Sequence, residues 1–281
     1  MKDSQLVLPV ELLIHIFLYV TTDPADAARL CRVSKWVHDV VEPVLYRVTA
    51  LKRPSLIDIQ RRVANSTSRK HIRALGIVYG PLEIDRGAID GPPLNNIRSC
   101  ATDGTNYKEL LNTSELEELH VFMTNFHSAR GHIHRLKKLQ LCYLLHALNR
   151  AQGPSPQAIS SVLELKSLTH VAFSIREDAK LSGIVRAVKM ILEHKGLLIM
   201  LVRLFRSTSL VLLGGAAEYE SVEGRLASIK DPRLFIQRVD VDADPEALLD
   251  EWERNARAGK SIWDLAEEKL AGRRVSVRHI F

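Results

Sequence analysis

Cysteine is scarce in this sequence: Cys31, Cys100 and Cys142 are the three in 281 residues, far apart and without Cys-x-x-Cys spacing. An odd, scattered set excludes a disulfide framework and a zinc ribbon, and it points to a reducing compartment. Long apolar runs are missing as well. The stretch Leu6 to Val20 is interrupted by Pro9, Glu11 and His15, and the run Gly196 to Val202 is too short to cross a bilayer. No signal-peptide pattern opens the sequence, so a cytosolic or nuclear protein with no membrane partner is expected.

Catalytic signatures are also absent. There is no GxSxG elbow, no Walker loop and no HExxH, and Gly214-Gly215 after an apolar run reads as a turn. His120, His127, His132 and His134 cluster, but two of them fall in an expected loop or repeat surface and no cysteine joins them, so no metal is assigned. Asp240-x-Asp242-x-Asp244 with Glu251 copies a calcium loop until its sixth position, where Pro245 replaces the turning glycine. Asp244 therefore reads as a helix cap. The expectation is a non-enzyme without cofactor.

What is present is an ordinary globular composition, 46% hydrophobic and 26% charged, with length for one large or two small domains. The formal charge of +6 is local: Arg47 to Arg73 carries a net +7, and the remainder of the chain sums to −1. A basic connector in a nearly neutral chain is only a weak argument for a nucleic-acid partner, whose usual footprint is a basic face on a folded module, and none is expected. Solvated surface or contact with an acidic or phosphorylated partner fits it better.

Three short helices are expected in the first forty-six residues. Pro9 has the preset φ of a first helical position, and Leu12, Leu13, Ile16, Phe17 and Val20 follow on one stripe. Asp23 and Ser34 can cap the next two helices, and Pro43 is expected to end or bend the third. So small a bundle buries little, yet its helices are apolar on more than one side, as surfaces that meet a partner are. A capping box, Ser55-x-x-Asp58, opens a short helix with Leu56, Ile59 and Val63.

From Ile72 onward, units of the form apolar-x-x-apolar-x-apolar recur: Ile72, Leu75, Ile77; Leu116, Leu119, Val121; Leu136, Leu139, Leu141; and Leu168, Val171, Phe173. This pattern lies in the leucine-rich-repeat range, but the spacing is irregular and the Gly87 to Thr105 stretch is expected to interrupt the stack. The slot that usually holds asparagine has Gly80, Thr124, Leu144 and Arg176, so any repeat is degenerate. A helix is expected over Ala179 to His194 with Gly196 as a left-handed cap, then strands around Ser209 to Leu213 and Leu234 to Val239. Two closing helices follow, one opened by Asp244-Pro245 and ended by Gly259, the other opened by Ser261-x-x-Asp264. Trp252 and Trp263 are expected to pin them to the end of the stack.

The expected fold class is α/β: a three-helix unit over 1–50, a basic helical connector over 51–70, an irregular leucine-rich-repeat-like α/β solenoid with C-terminal helices over 71–272, and a basic tail over 273–281. The segments Leu8-Pro9-Val10-Glu11-Leu12-Leu13-Ile14-His15-Ile16-Phe17, Ala27-Ala28-Arg29-Leu30-Cys31-Arg32-Val33-Ser34-Lys35 and Pro43-Val44-Leu45-Tyr46 resemble an F-box. Val37 stands where that family usually has an aromatic, with Trp36 one place early. The remainder is similar to the degenerate repeats that follow the F-box in many fungal proteins, whose ends resemble Trp252, Gly259, Trp263, Ala266 and Glu267.

The resemblance implies a substrate-recognition adaptor of an SCF-type ubiquitin ligase. Its F-box would dock on a Skp-type linker protein, which joins it to cullin and RING subunits, while the second domain takes a protein substrate. Carried over by position, Leu8, Pro9, Leu12, Ile16, Leu30 and Val33 are the implied linker-binding residues. The alternative is an F-box or repeat scaffold that works by protein–protein interaction outside a ligase.

Overall fold

The first helix, α1 (Val10–Val20), starts one residue later than expected. Pro9 sits just outside it as the cap, and its carbonyl accepts from the Leu12 and Leu13 N–H groups at 3.1 Å. The computed structural model describes residues 8–21, 23–54, 58, 60–64, 67–78, 96–103, 115–122, 135–143, 154–176, 181–205, 223–239 and 244–278. In α2 (Pro24–Leu30) the Asp23 carboxylate accepts from the Ala25 N–H, and in α3 (Lys35–Arg47) the Ser34 hydroxyl accepts from that of Val37. Pro43 does not end α3, contrary to expectation. Val41 and Leu45 on either side of it are held in the small core of Ala27, Val37 and Val41, and this packing carries the helix on to Arg47.

Eight parallel strands follow in chain order: β1 (Val48–Lys52), β2 (Ala74–Val78), β3 (Ser99–Thr102), β4 (Glu118–Val121), β5 (Lys138–Tyr143), β6 (His170–Arg176), β7 (Ile199–Phe205) and β8 (Leu234–Val239). The register explains the recurring apolar pattern. Leu75, Cys100, Leu119, Leu139, Val171 and Met200 form one row across the sheet, and Ile77, Thr102, Val121, Leu141, Phe173 and Val202 form the next. All of them are buried, and α4 (Pro156–Leu163) and α5 (Leu181–Leu192) pack over this face through Ile159, Val162, Ile184, Val188 and Ile191. The molecule is thus mixed α/β, a helical N-terminal unit followed by a parallel sheet with helices.

Several expectations are corrected. The sheet begins at Val48, well before residue 71, because α3 runs straight into β1. The Gly87 to Thr105 stretch contains β3, whose short Ser-Cys-Ala-Thr sequence hides a strand that its neighbours β2 and β4 impose. Gly196 is not left-handed: α5 closes through tight turns in which His194 and Glu193 N–H groups donate to Ile191 and Met190 carbonyls. Val63 is buried in a π-helical turn, Gln60–Ala64, and Thr67–His71 forms a 3₁₀ turn. The expected tail over 273–281 is helical as far as Arg278, as part of α7 (Asp264–Arg278). Ser55, Leu56, Ile59, Gly80, Thr124, Leu144, Ser209 to Gly215, Asp240 and Asp242 lie outside the described residues, as do His127, His132 and His134.

The caps of α6 (Pro245–Ala258) follow the sequence closely. The Asp244 carboxylate accepts from the Ala247 N–H, and Gly259 has the left-handed φ of 65°. At the start of α7 the Ser261 N–H donates to the Asp264 carboxylate at 2.9 Å. However, α6 and α7 do not close the end of the stack. They lie across the second face of the sheet, with Leu248, Leu249 and Trp252 over one part and Trp263 and Ala266 over another. At Gly76 in β2 an added Cβ would come within 2.6 Å of the Trp252 ring, so only glycine lets α6 approach this closely.

Candidate functional site

Apolar side chains on the N-terminal unit face solvent. Ten large hydrophobic residues are exposed among the described residues, and eight of them, Leu8, Val10, Leu12, Ile16, Tyr19, Val20, Val33 and Trp36, lie between residues 8 and 36. The helix period causes this: Phe17 turns inward against the Ala27–Val37–Val41 core, which leaves Leu12 and Ile16 on the outer side of α1. So dense a patch is uncommon on a surface that meets only water.

Of the six residues singled out from sequence, Leu8, Leu12 and Ile16 are 40%, 45% and 42% exposed, and Val33 is 68% exposed. Pro9 is exposed beside them. Leu30 differs: it is half-buried against the small core, since α2 has only seven residues and needs it for packing. Val10, Tyr19, Val20 and Trp36 extend the same surface and were not singled out. Trp36 leans on Phe17 with ring centroids 5.9 Å apart, while Val37 fills the core in its place. The one-residue offset between the two in sequence was the available signal.

The sheet face under α6 and α7 is built in the opposite way. Its central row reads Gly76, Ala101, His120, Gln140, Ala172 and Leu201, small where α6 presses and polar towards the middle. His120 bridges the Gln140 side chain and the Glu118 carboxylate, the latter at 2.7 Å, and Gln140 donates to Ser174 Oγ at 2.7 Å. Lys138 donates to Glu267 of α7 at 2.7 Å, and His170 Nε2 lies 3.2 Å from the same oxygen. Trp263 stands between the rings of His120 and His170, with the Lys138 ammonium 5.6 Å from its centre. Trp252 Nε1 donates to Ser99 Oγ, and the buried Arg203 donates to Glu251 of α6 at 2.6 Å.

These contacts set the charges in the layer. Burial pulls His170 down to about 4, helped by Lys138 and opposed by Glu267 and Glu118, so it is neutral at pH 7. Burial pushes Glu118 up, but the hydrogen bond and charge of His120 and the charge of Lys138 outweigh it, and its carboxyl sits below the usual range. The layer seats two helices on a sheet. The thiols of Cys100 and Cys142 are pushed up to about 12 by burial and are poor nucleophiles. No group of three metal-ligating side chains occurs among the described residues, and none of the described helices is long and apolar enough to cross a membrane.

A family profile described as F-box-like matches residues 6–51, the span that holds α1, α2, α3 and most of β1. No curated protein and no solved structure matches the chain. The F-box-like domain supports an F-box protein and marks the N-terminal unit as a module for protein–protein interaction.

Proposed function

We propose that the protein is a non-catalytic substrate-recognition adaptor of an SCF-type cullin–RING ubiquitin ligase, acting in the cytoplasm or nucleus. In this reading the outer face of the N-terminal unit docks on a Skp-type linker, and through it on cullin and RING subunits, by way of Leu8, Pro9, Leu12, Ile16 and Val33, with Leu30 behind them. The observation that carries it is the concentration of exposed apolar side chains within the span that the F-box-like profile matches. Transfer of this surface out of water is the driving force, at about 25 cal/mol per Å² of apolar area. The parallel sheet in chain order, with its rows of buried leucines, supports reading the second unit as a degenerate leucine-rich-repeat solenoid that receives the target. Because α6 and α7 take one face of that sheet, target capture falls to other surfaces.

The test is co-expression of the full chain with a Skp-type linker, comparing wild type with the Pro9→Ala, Leu12→Asp double variant. Wild type is expected to purify as a stoichiometric complex. The double variant is expected to lose at least a hundredfold in affinity while melting at the wild-type temperature, since both side chains are exposed. A wild-type chain that fails to bind the linker rejects the adaptor reading.

A further inference from the structure

The basic connector has a place in the fold that the adaptor reading does not use. Parallel pairing of Val48 with Ala74 and of Ala74 with Ser99 sets the residues just before them, Arg47, Arg73 and Arg98, side by side at the N-terminal edge of the sheet. The backbone fixes this ladder: the Arg73 N–H donates to the Arg47 carbonyl at 2.9 Å, and the Arg98 N–H donates to that of Arg73 at 2.8 Å. All three arginines line one cavity of about 360 Å³, together with Lys138 and Lys260, under the turn that joins α6 to α7.

Two acids line the same cavity, and both are engaged. Glu118 is held by His120, and Asp264 accepts from the Ser261 N–H. Among the described residues, no carboxylate lies within ion-pair distance of Arg47, Arg73 or Arg98. Arg47 donates to the Arg257 carbonyl and Arg73 to those of Lys70 and Ile72, contacts that orient a guanidinium without neutralising it. Three of the last four carbonyls of α6, those of Asn255, Ala256 and Arg257, already accept, from the N–H groups of Gly259 and Lys260 and from Arg47. All three arginines are exposed at the cavity's edge and stand on neighbouring strands without a carboxylate partner among the described residues, and a bound dianion would offset their mutual, solvent-screened repulsion.

We propose that this cavity is a binding site for a phosphomonoester, held by Arg47, Arg73 and Arg98 with Lys260 at its mouth. A phosphomonoester carries close to two negative charges and three acceptor oxygens, which match three guanidinium forks better than a single carboxylate does. The group can arrive on a phosphorylated side chain of a protein or as a small phosphate ester, and the two sources make the same contacts.

The full chain is titrated at fixed ionic strength with a phosphoserine peptide, its unphosphorylated counterpart, and inorganic phosphate, with heat of binding and tryptophan emission as readouts, since Trp252 lines the cavity. The phosphoserine peptide is expected to bind at least tenfold more tightly than its counterpart. Saturation by inorganic phosphate at comparable concentration assigns the site to free phosphate esters, whereas phosphate binding far weaker than the peptide assigns it to a phosphorylated protein. The Arg73→Gln, Arg98→Gln pair should lose tenfold or more. The Arg61→Gln, Arg62→Gln pair removes the same charge from exposed positions of the connector outside the cavity and should lose less than twofold. Equal losses in the two pairs, equal binding of both peptides, or no binding by wild type overturns the proposal. Because linker binding is measured separately, each reading can fail without the other.

Discussion

The N-terminal helices expose leucine and tryptophan, whereas the second face of the sheet buries histidine, glutamine and arginine. Each region inverts the usual distribution, but only one of them has its cover within the described chain. On the sheet the cover is part of the same chain: α6, α7 and the turn between them bring Glu251, Trp252, Trp263 and Glu267 against Arg203, Ser99, His120 and Lys138 of this face, so these contacts are made inside one molecule. On α1 the described chain supplies no cover for Leu12 or Ile16. Burial therefore follows what each surface meets, and the same residue type is core in one region and exposed in the other.

The sharpest way to break this comparison is to truncate one large apolar residue in each region. Trp252→Ala should cost about 3–5 kcal/mol in denaturant unfolding, because it empties the space between α6 and β2. Leu12→Ala should change stability by less than about 0.5 kcal/mol. Similar losses at the two sites would mean that the head is a closed core.

A smaller effect is expected at Arg203. Glu251→Leu leaves a buried guanidinium without its carboxylate and should cost about 2–3 kcal/mol, less than a fully buried pair because Glu251 is partly exposed. Adding Arg203→Met to that variant should restore most of the loss. No recovery would mean that the arginine contributes by its fit over Phe205 more than by its charge.

The smallest effect is on pH dependence. His170 is neutral in the fold down to about pH 4, whereas the unfolded chain takes up its proton near pH 6.5. The unfolded state binds more protons between those values, so the stability from the neutral ring is present above pH 6.5 and is lost as pH falls towards 4. Melting temperature measured from pH 7 to 4.5 should fall less in His170→Asn than in wild type, and parallel slopes would remove His170 from the seat of α7.

Local chemistry determined much of this fold. The caps at Asp23, Ser34, Asp244 and Gly259, the rows of apolar residues in β2, β4, β5 and β6, and β8 over Leu234–Val239 were legible because each depends on residues within one turn or one strand. The candidate docking residues were named from a motif local to residues 8–33, in α1, α2 and the residues beside them; five of the six face solvent, and Leu30 turns half inward because a seven-residue helix needs an anchor. Tertiary structure decided the rest. The strand β3 has little sequence signal of its own and exists through pairing on both sides. Trp252 and Trp263 could be read as end caps until α6 and α7 were seen across the sheet face. Arg47, Arg73 and Arg98 are separated by 26 and 25 residues, and only strand register sets them side by side. Hydrogen bonds between strands join residues distant in the chain, so the contents of a cavity between strands and helices cannot be fixed by any local pattern.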